Sequence, residues 1–107
     1  MYIYGGYDAD GFCSNEIFSW DFSSRQWDKM EPSKTQTREF ALERFHHSAI
    51  AIESVMIVFG GKDSLGHVCD NGLLEYHFET RTWAAIQTAG MAPTPRWGHC
   101  AALLGYA

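Results

Sequence analysis

Hydrophobic residues follow two patterns along this chain, and each pattern occurs twice. Tyr2-Ile3-Tyr4 and Met56-Ile57-Val58-Phe59 are near-continuous apolar runs, each closed by a glycine pair, Gly5-Gly6 and Gly60-Gly61. A run that is apolar on both faces belongs to a strand covered on both sides. Paired glycines after it permit positive φ and close approach of another backbone, so they mark where the strand turns out. The second pattern alternates. Phe18, Trp20 and Phe22 stand against Ser19 and Asp21, and Leu74, Tyr76 and Phe78 stand against Glu75 and His77. Period two over five residues predicts a half-buried strand. Polar turns at Ser23-Ser24-Arg25 and Glu79-Thr80-Arg81 then lead to Trp27 and Trp83, which reads as a hairpin in each copy.

The recurrence is a sequence repeat. Met1 to Gly6 return at an offset of 55 as Met56 to Gly61. With one inserted residue, Cys13, Asn15, Phe22, Arg25 and Trp27 return at an offset of 56 as Cys69, Asn71, Phe78, Arg81 and Trp83. Arg44-Phe45-His46-His47-Ser48-Ala49 returns at an offset of 52 as Arg96-Trp97-Gly98-His99-Cys100-Ala101. A period in the fifties carrying strand-like segments specifies an all-β array. Strands are expected near 2–5, 16–22, 26–30, 47–52, 55–60, 73–78, 82–86 and 99–104. The small residues Ser48, Ala49, Ala51, Cys100, Ala101 and Ala102 suit a crowded inner strand. Polar segments 7–15 and 62–72 are surface loops, and Thr37 to Arg44 has room for one helical turn.

Composition narrows the function. At 107 residues the chain has the length of one small domain. Its aromatic fraction of 15% favours strands, where flat side chains pack well. A net charge of −5 argues against a nucleic-acid groove, which needs a concentrated basic face. No apolar run is long enough to span a membrane, and the first residues read as strand and double glycine rather than signal peptide. Three cysteines, Cys13, Cys69 and Cys100, point to reduced thiols and so to a cytoplasmic or nuclear protein.

Taken together, these landmarks resemble the kelch repeat: Gly5-Gly6, Trp20, Trp27 and Arg44 to Ala49, then Gly60-Gly61, Tyr76, Trp83 and Arg96 to Ala101. The resemblance covers nearly the whole chain. It implies a partial β-propeller built from four-stranded antiparallel blades, with strands A to D running outward from the axis. On that scheme, residues 1–30 are blade one without its inner strand, and 31–43 are an inter-blade loop. Residues 44–86 are blade two, 87–95 a second loop, and 96–107 the inner strand of a third blade. Closing a ring takes roughly four to eight blades, so further repeats are needed and the chain reads as a fragment or an associating piece.

The resemblance also sets functional expectations. It implies a protein–protein interaction module within an intracellular adaptor or scaffold, with a ubiquitin-ligase substrate receptor as one such role. Kelch-like propellers also occur in enzymes, among them copper oxidases and specifier proteins, and a purely structural spacer is a third reading. Among substrate receptors, arginines at the approach to strand A help grip acidic peptides, which makes Arg44 and Arg96 partner-binding candidates. The alternative for both is a guanidinium fork on loop carbonyls or a carboxylate. Loop residues Tyr7, Asp8, Asp10, Phe12, Lys62, Asp63 and His67 supply the remaining candidate surface.

Other constellations are weaker. His67, Cys69, His99 and Cys100 lack the short paired spacing of a zinc site, and Cys13 and Cys69 read as repeat equivalents, so no metal and no cofactor is assigned. Gly60-Gly61-Lys62-Asp63-Ser64 ends a strand rather than opening a helix, unlike a phosphate loop. Ser48 beside His47 has no third orienting group. Trp27 and Trp83 are expected to fill space between blades.

Overall fold

The computed structural model describes residues 1–31 and 43–105. It is all-β, with seven strands: β1 Tyr2–Tyr4, β2 Ile17–Asp21, β3 Gln26–Lys29, β4 Ser48–Ile52, β5 Val55–Phe59, β6 Leu73–His77 and β7 Thr82–Ile86. They form a three-stranded sheet, β1-β2-β3, and a four-stranded sheet, β4-β5-β6-β7, both antiparallel between neighbours. No helix occurs among the described residues. The helical turn expected near 37–44 lies almost wholly outside them, as does most of the 31–43 loop.

Register follows the alternation. Trp20 faces Trp27 across β2 and β3, and Tyr76 faces Trp83 across β6 and β7. The ring centroids of these pairs are 5.0 and 5.1 Å apart. Both hairpins turn on an arginine at positive φ, Arg25 at 59° and Arg81 at 57°. The Arg N–H closes the loop on the carbonyl of Asp21 or His77 at 2.8 Å. A residue in this left-handed region ending a four-residue turn brings the two strands back into register.

One expected strand is absent. Residues 99–104 repeat the small-residue pattern of 47–52 but form no strand. The pattern at 48–52 is paired along its length with β5, from Ser48 opposite Phe59 to Ile52 opposite Val55. Residues 99–104 meet no such neighbour among the described residues. Small side chains suit an inner strand, but a ladder makes it one.

A single cluster unites the sheets. Tyr4 and Ile17 from the first sheet and Met56, Val58 and Tyr76 from the second are buried together, with Leu74, Phe78 and Trp83 packed against them. Tyr2 stacks on Phe78 at 3.9 Å, and the Tyr4 ring lies 5.0 Å from that of Trp83. β1 is thus the edge that docks onto the second sheet. Trp83 fills the space between sheets. Its equivalent Trp27 is 52% exposed, having no preceding sheet among the described residues to cover it.

The loops correct one repeat assignment. Ser14 N–H bonds to Gly6 O at 2.9 Å, and Cys69 N–H to Gly61 O at 2.8 Å. Tyr7 bridges Cys13 as Lys62 bridges Val68. Cys69 is therefore the counterpart of Ser14, and Cys13 that of Val68. The inserted residue falls after Cys69, not before it, because hydrogen bonding holds the two loops in step up to that point.

Candidate functional site

The site is built where one sheet hands over to the next. After each apolar strand the glycine pair adopts positive φ, 71° and 104° at Gly5 and Gly6, 74° and 99° at Gly60 and Gly61. Gly6 N–H bonds to Arg44 O at 2.9 Å, and Gly61 N–H to Arg96 O at 3.0 Å. A Cβ at Gly5 would stand 2.7 Å from Arg44 O and 2.9 Å from His47 Cε1. At Gly60 it would stand 2.5 Å from Arg96 O and 2.6 Å from His99 Cε1. Glycine is required because the incoming arginine backbone and histidine ring occupy the side-chain space. Each histidine also meets the aromatic before the glycines edge-on, His47 against Tyr4 at 5.0 Å and His99 against Phe59 at 5.3 Å.

The two arginines differ. Arg44 is 5% exposed, and its guanidinium donates to Gly60 O at 3.0 Å and bonds to the Tyr4 hydroxyl. Burial holds the Tyr4 hydroxyl well above its ordinary pKa, with Arg44 opposing. Burial also lowers His47 from 6.5 to about 4, the Arg44 guanidinium adding to the effect and the Tyr4 backbone opposing it. Arg96 is exposed and folds back on Thr94, donating to its carbonyl and its hydroxyl at 3.1 Å each. His99 Nε2 meets Ser48 Oγ at 2.9 Å, and that hydroxyl also lies 3.3 Å from Phe59 O. Beside them opens a groove of about 490 Å³, lined by Ser48, Phe59, Met91, Arg96, His99 and Cys100 among others.

The loops after the glycines are ordered by one device. Asp8 Oδ1 accepts the N–H groups of Asp10 and Phe12 at 2.9 Å, and Asp63 Oδ1 those of Leu65 and His67 at 2.9 Å. These N–H groups lower the Asp63 carboxyl pKa, with the nearby His67 ring contributing. A carboxylate that accepts backbone donors fixes a turn with no packed core beneath it. The turns then present bulk outward: Tyr7 is 57%, Phe12 71% and Leu65 79% exposed. His67 is exposed beside Asp63, with ring nitrogen and carboxylate 3.6 Å apart. Lys62 is half-buried, its ammonium 3.6 Å from the centre of the Trp97 ring. Among the described residues no group of three or more metal-ligating side chains converges.

Residues 1–106 match the family model described as the KLHDC2/KLHL20/DRC7 Kelch-repeats domain. The chain belongs to the kelch-repeat family. Human Kelch domain-containing protein 3 is 27% identical across 98% of this chain and 29% of its own length. Tip elongation aberrant protein 3 of Schizosaccharomyces pombe is 31% identical across 92% of the chain, and Rho GTPase-activating protein gacHH of Dictyostelium discoideum 30% across 92%. The chain spans only 9% and 6% of those two proteins. Kelch repeats are in general protein–protein interaction modules, and the two sheets here are blades of that kind.

Three contributors escaped the sequence reading: Phe45, His46 and Trp97. Tyr7 meets Phe45 at 5.0 Å, Phe45 meets His46 at 4.9 Å, and His46 stacks on Trp97 at 5.6 Å. Their signal was an aromatic following each arginine, Phe45 and Trp97. His46 and Gly98 share the next repeat position, both at positive φ, 57° and 69°.

Proposed function

We propose that this kelch segment is the partner-holding part of an adaptor or scaffold working in the cytoplasm or nucleus. Substrate reception for a ubiquitin ligase is the specific role that the family resemblance brings. The observation that carries the reading is the pair of preordered loops, which hold Tyr7, Phe12, Leu65 and Val68 outward on aspartate-fixed turns. Exposed apolar side chains on rigid turns lose little freedom on binding, and that raises affinity per contact. The relatives favour the same reading. Their names include a Rho GTPase-activating protein, a Ras guanine nucleotide exchange factor and an acyl-CoA-binding domain-containing protein. A segment shared by proteins with such different named activities serves an attachment role common to them.

Of the two arginines, Arg96 is the one open to a partner, and Arg44 acts within the blade. The Ser48–His99 contact supports no hydrolytic reading, because the same hydroxyl also lies within hydrogen-bond distance of Phe59 O. The test is a Phe12→Ala/Leu65→Ala double variant beside the parent chain, with partners captured from lysate and then titrated in purified form. The reading expects at least tenfold weaker binding at an unchanged melting temperature. Equal affinity of parent and variant for every captured partner would contradict it.

A further inference from the structure

We infer that the row Tyr7–Phe45–His46–Trp97, with Lys62 at its end, is a recognition rail for an acidic segment of another protein that carries an aromatic side chain. The inference rests on the interaction-module reading and narrows it to one surface and one partner chemistry.

The rail is a product of the repeat. Tyr7 and Lys62 occupy the same position after their glycine pairs, and Phe45 and Trp97 the same position after their arginines. The blade junctions therefore make the same contact twice, once as Tyr7 on Phe45 and once as Lys62 on Trp97. His46 joins the two, touching Phe45 on one side and Trp97 on the other. Backbone bonds fix the register: Phe45 and Lys62 exchange N–H and carbonyl at 3.0 and 2.9 Å, and Gly98 N–H bonds to His46 O at 2.9 Å. Yet Tyr7 is 57% and Trp97 46% exposed, and His46 is exposed as well. Aromatic surface that is positioned but uncovered is what interface cores are made of.

Charge selects the partner. The Lys62 ammonium lies over the Trp97 face and has no carboxylate partner among the described residues. The nearest loop acids are spent on their own turns: Asp8 on the Asp10 and Phe12 N–H groups, Asp63 on those of Leu65 and His67. Contact with a ring face leaves an ammonium's N–H donors free on the other side. A carboxylate arriving there gains a charge-assisted bond beside apolar surface that excludes water. An adjacent aromatic ring on the same segment would cover Trp97 and His46. Arg96 stands next in sequence, so a second carboxylate is met by a second cation.

The test uses the 107-residue chain and two synthetic peptides, one alternating glutamate with phenylalanine, the other lysine with phenylalanine. Amide shifts are followed by NMR. The acidic peptide is expected to bind at least tenfold more tightly and to move the signals of Tyr7, Phe45, His46, Lys62 and Trp97. Lys62→Gln should weaken it about tenfold, and Lys62→Arg should retain most of the binding. Trp97→Leu should weaken it similarly at an unchanged melting temperature; if that variant melts early, the Lys62 pair decides. Equal binding of both peptides, no binding of the acidic one, or shifts confined to Phe12 and Leu65 would overturn the rail. The last outcome would leave the loop-tip reading standing, whereas loss of partner binding in neither rail nor loop variants would remove both.

Discussion

The chain contains the same junction twice, and only one copy is finished. Between the first and second sheets, Gly5 and Gly6 receive Arg44 and His47. Between the second sheet and the segment after it, Gly60 and Gly61 receive Arg96 and His99. The glycine bond, the histidine edge contact and the crowding at the first glycine are common to both. Two things differ. Arg44 is buried on Gly60 O, and the residues after it run into β4; Arg96 is exposed on Thr94, and the residues after it form no strand. The contact between blades is therefore made locally by the glycine pair of the preceding blade. The inner strand, and the burial of the arginine before it, depend on the strand that follows in the same blade. Arg44 donates to a carbonyl at the end of β5, its own neighbour strand, and Arg96 has no such carbonyl among the described residues.

The largest expected effect separates the two tryptophans. Trp83 lies against Tyr4 of the other sheet and Tyr76 of its own, so Trp83→Ala should cost about 3–5 kcal/mol. Trp27 touches Trp20 and is 52% exposed, so Trp27→Ala should cost about 1 kcal/mol. Urea melts of the two variants decide the matter, and equal losses would mean that packing between the sheets contributes nothing special.

Next come the glycines. Gly60→Ala places a Cβ against the Arg96 carbonyl at positive φ, and a loss of about 3 kcal/mol is expected. Gly66 has positive φ but open space around it, so Gly66→Ala isolates the backbone cost at about 1 kcal/mol. If the two variants melt alike, the close approach of the next segment is not what the glycine serves.

A smaller effect concerns pH. Burial beside Arg44 lowers His47 from 6.5 to about 4, so between those values the unfolded chain binds a proton that the folded chain refuses. Stability should therefore be full above about pH 6.5 and fall as pH drops toward about 4, by roughly 2 kcal/mol for this one group. His47→Gln should flatten that part of the profile. A parent chain that gains stability on acidification through the same window would reverse the sign and refute the buried, neutral histidine.

Much of this was legible in the residues. Alternation at Phe18-Ser19-Trp20 and Leu74-Glu75-Tyr76 located β2 and β6, and the paired tryptophans located β3 and β7, because a sheet face needs period two. The glycine pairs marked the junctions, since nothing else tolerates the approach. The 99–104 strand was misread for a reason of the same kind: composition reports what a position suits, and a ladder needs a partner that composition does not supply. Cys13 and Cys69 looked equivalent by identity, but the hydrogen bonds of the loops set the alignment instead. The rail was hidden because its members lie at separate places in the chain and meet only across the junctions, although an aromatic after each arginine was there to be read.

Amide hydrogen exchange tests the central claim most directly, because it reads the junction contact and the inner strand separately. The account predicts protection at Ala49 to Ile52, held in the β4–β5 ladder, and at Gly61 and Gly98, whose N–H groups bond across the second junction. It predicts rapid exchange from Cys100 to Leu104. Protection of Cys100 to Leu104 equal to that of β4 would show that the inner strand forms without its neighbour, and rapid exchange at Gly61 and Gly98 would show that the glycine pair does not hold the next segment.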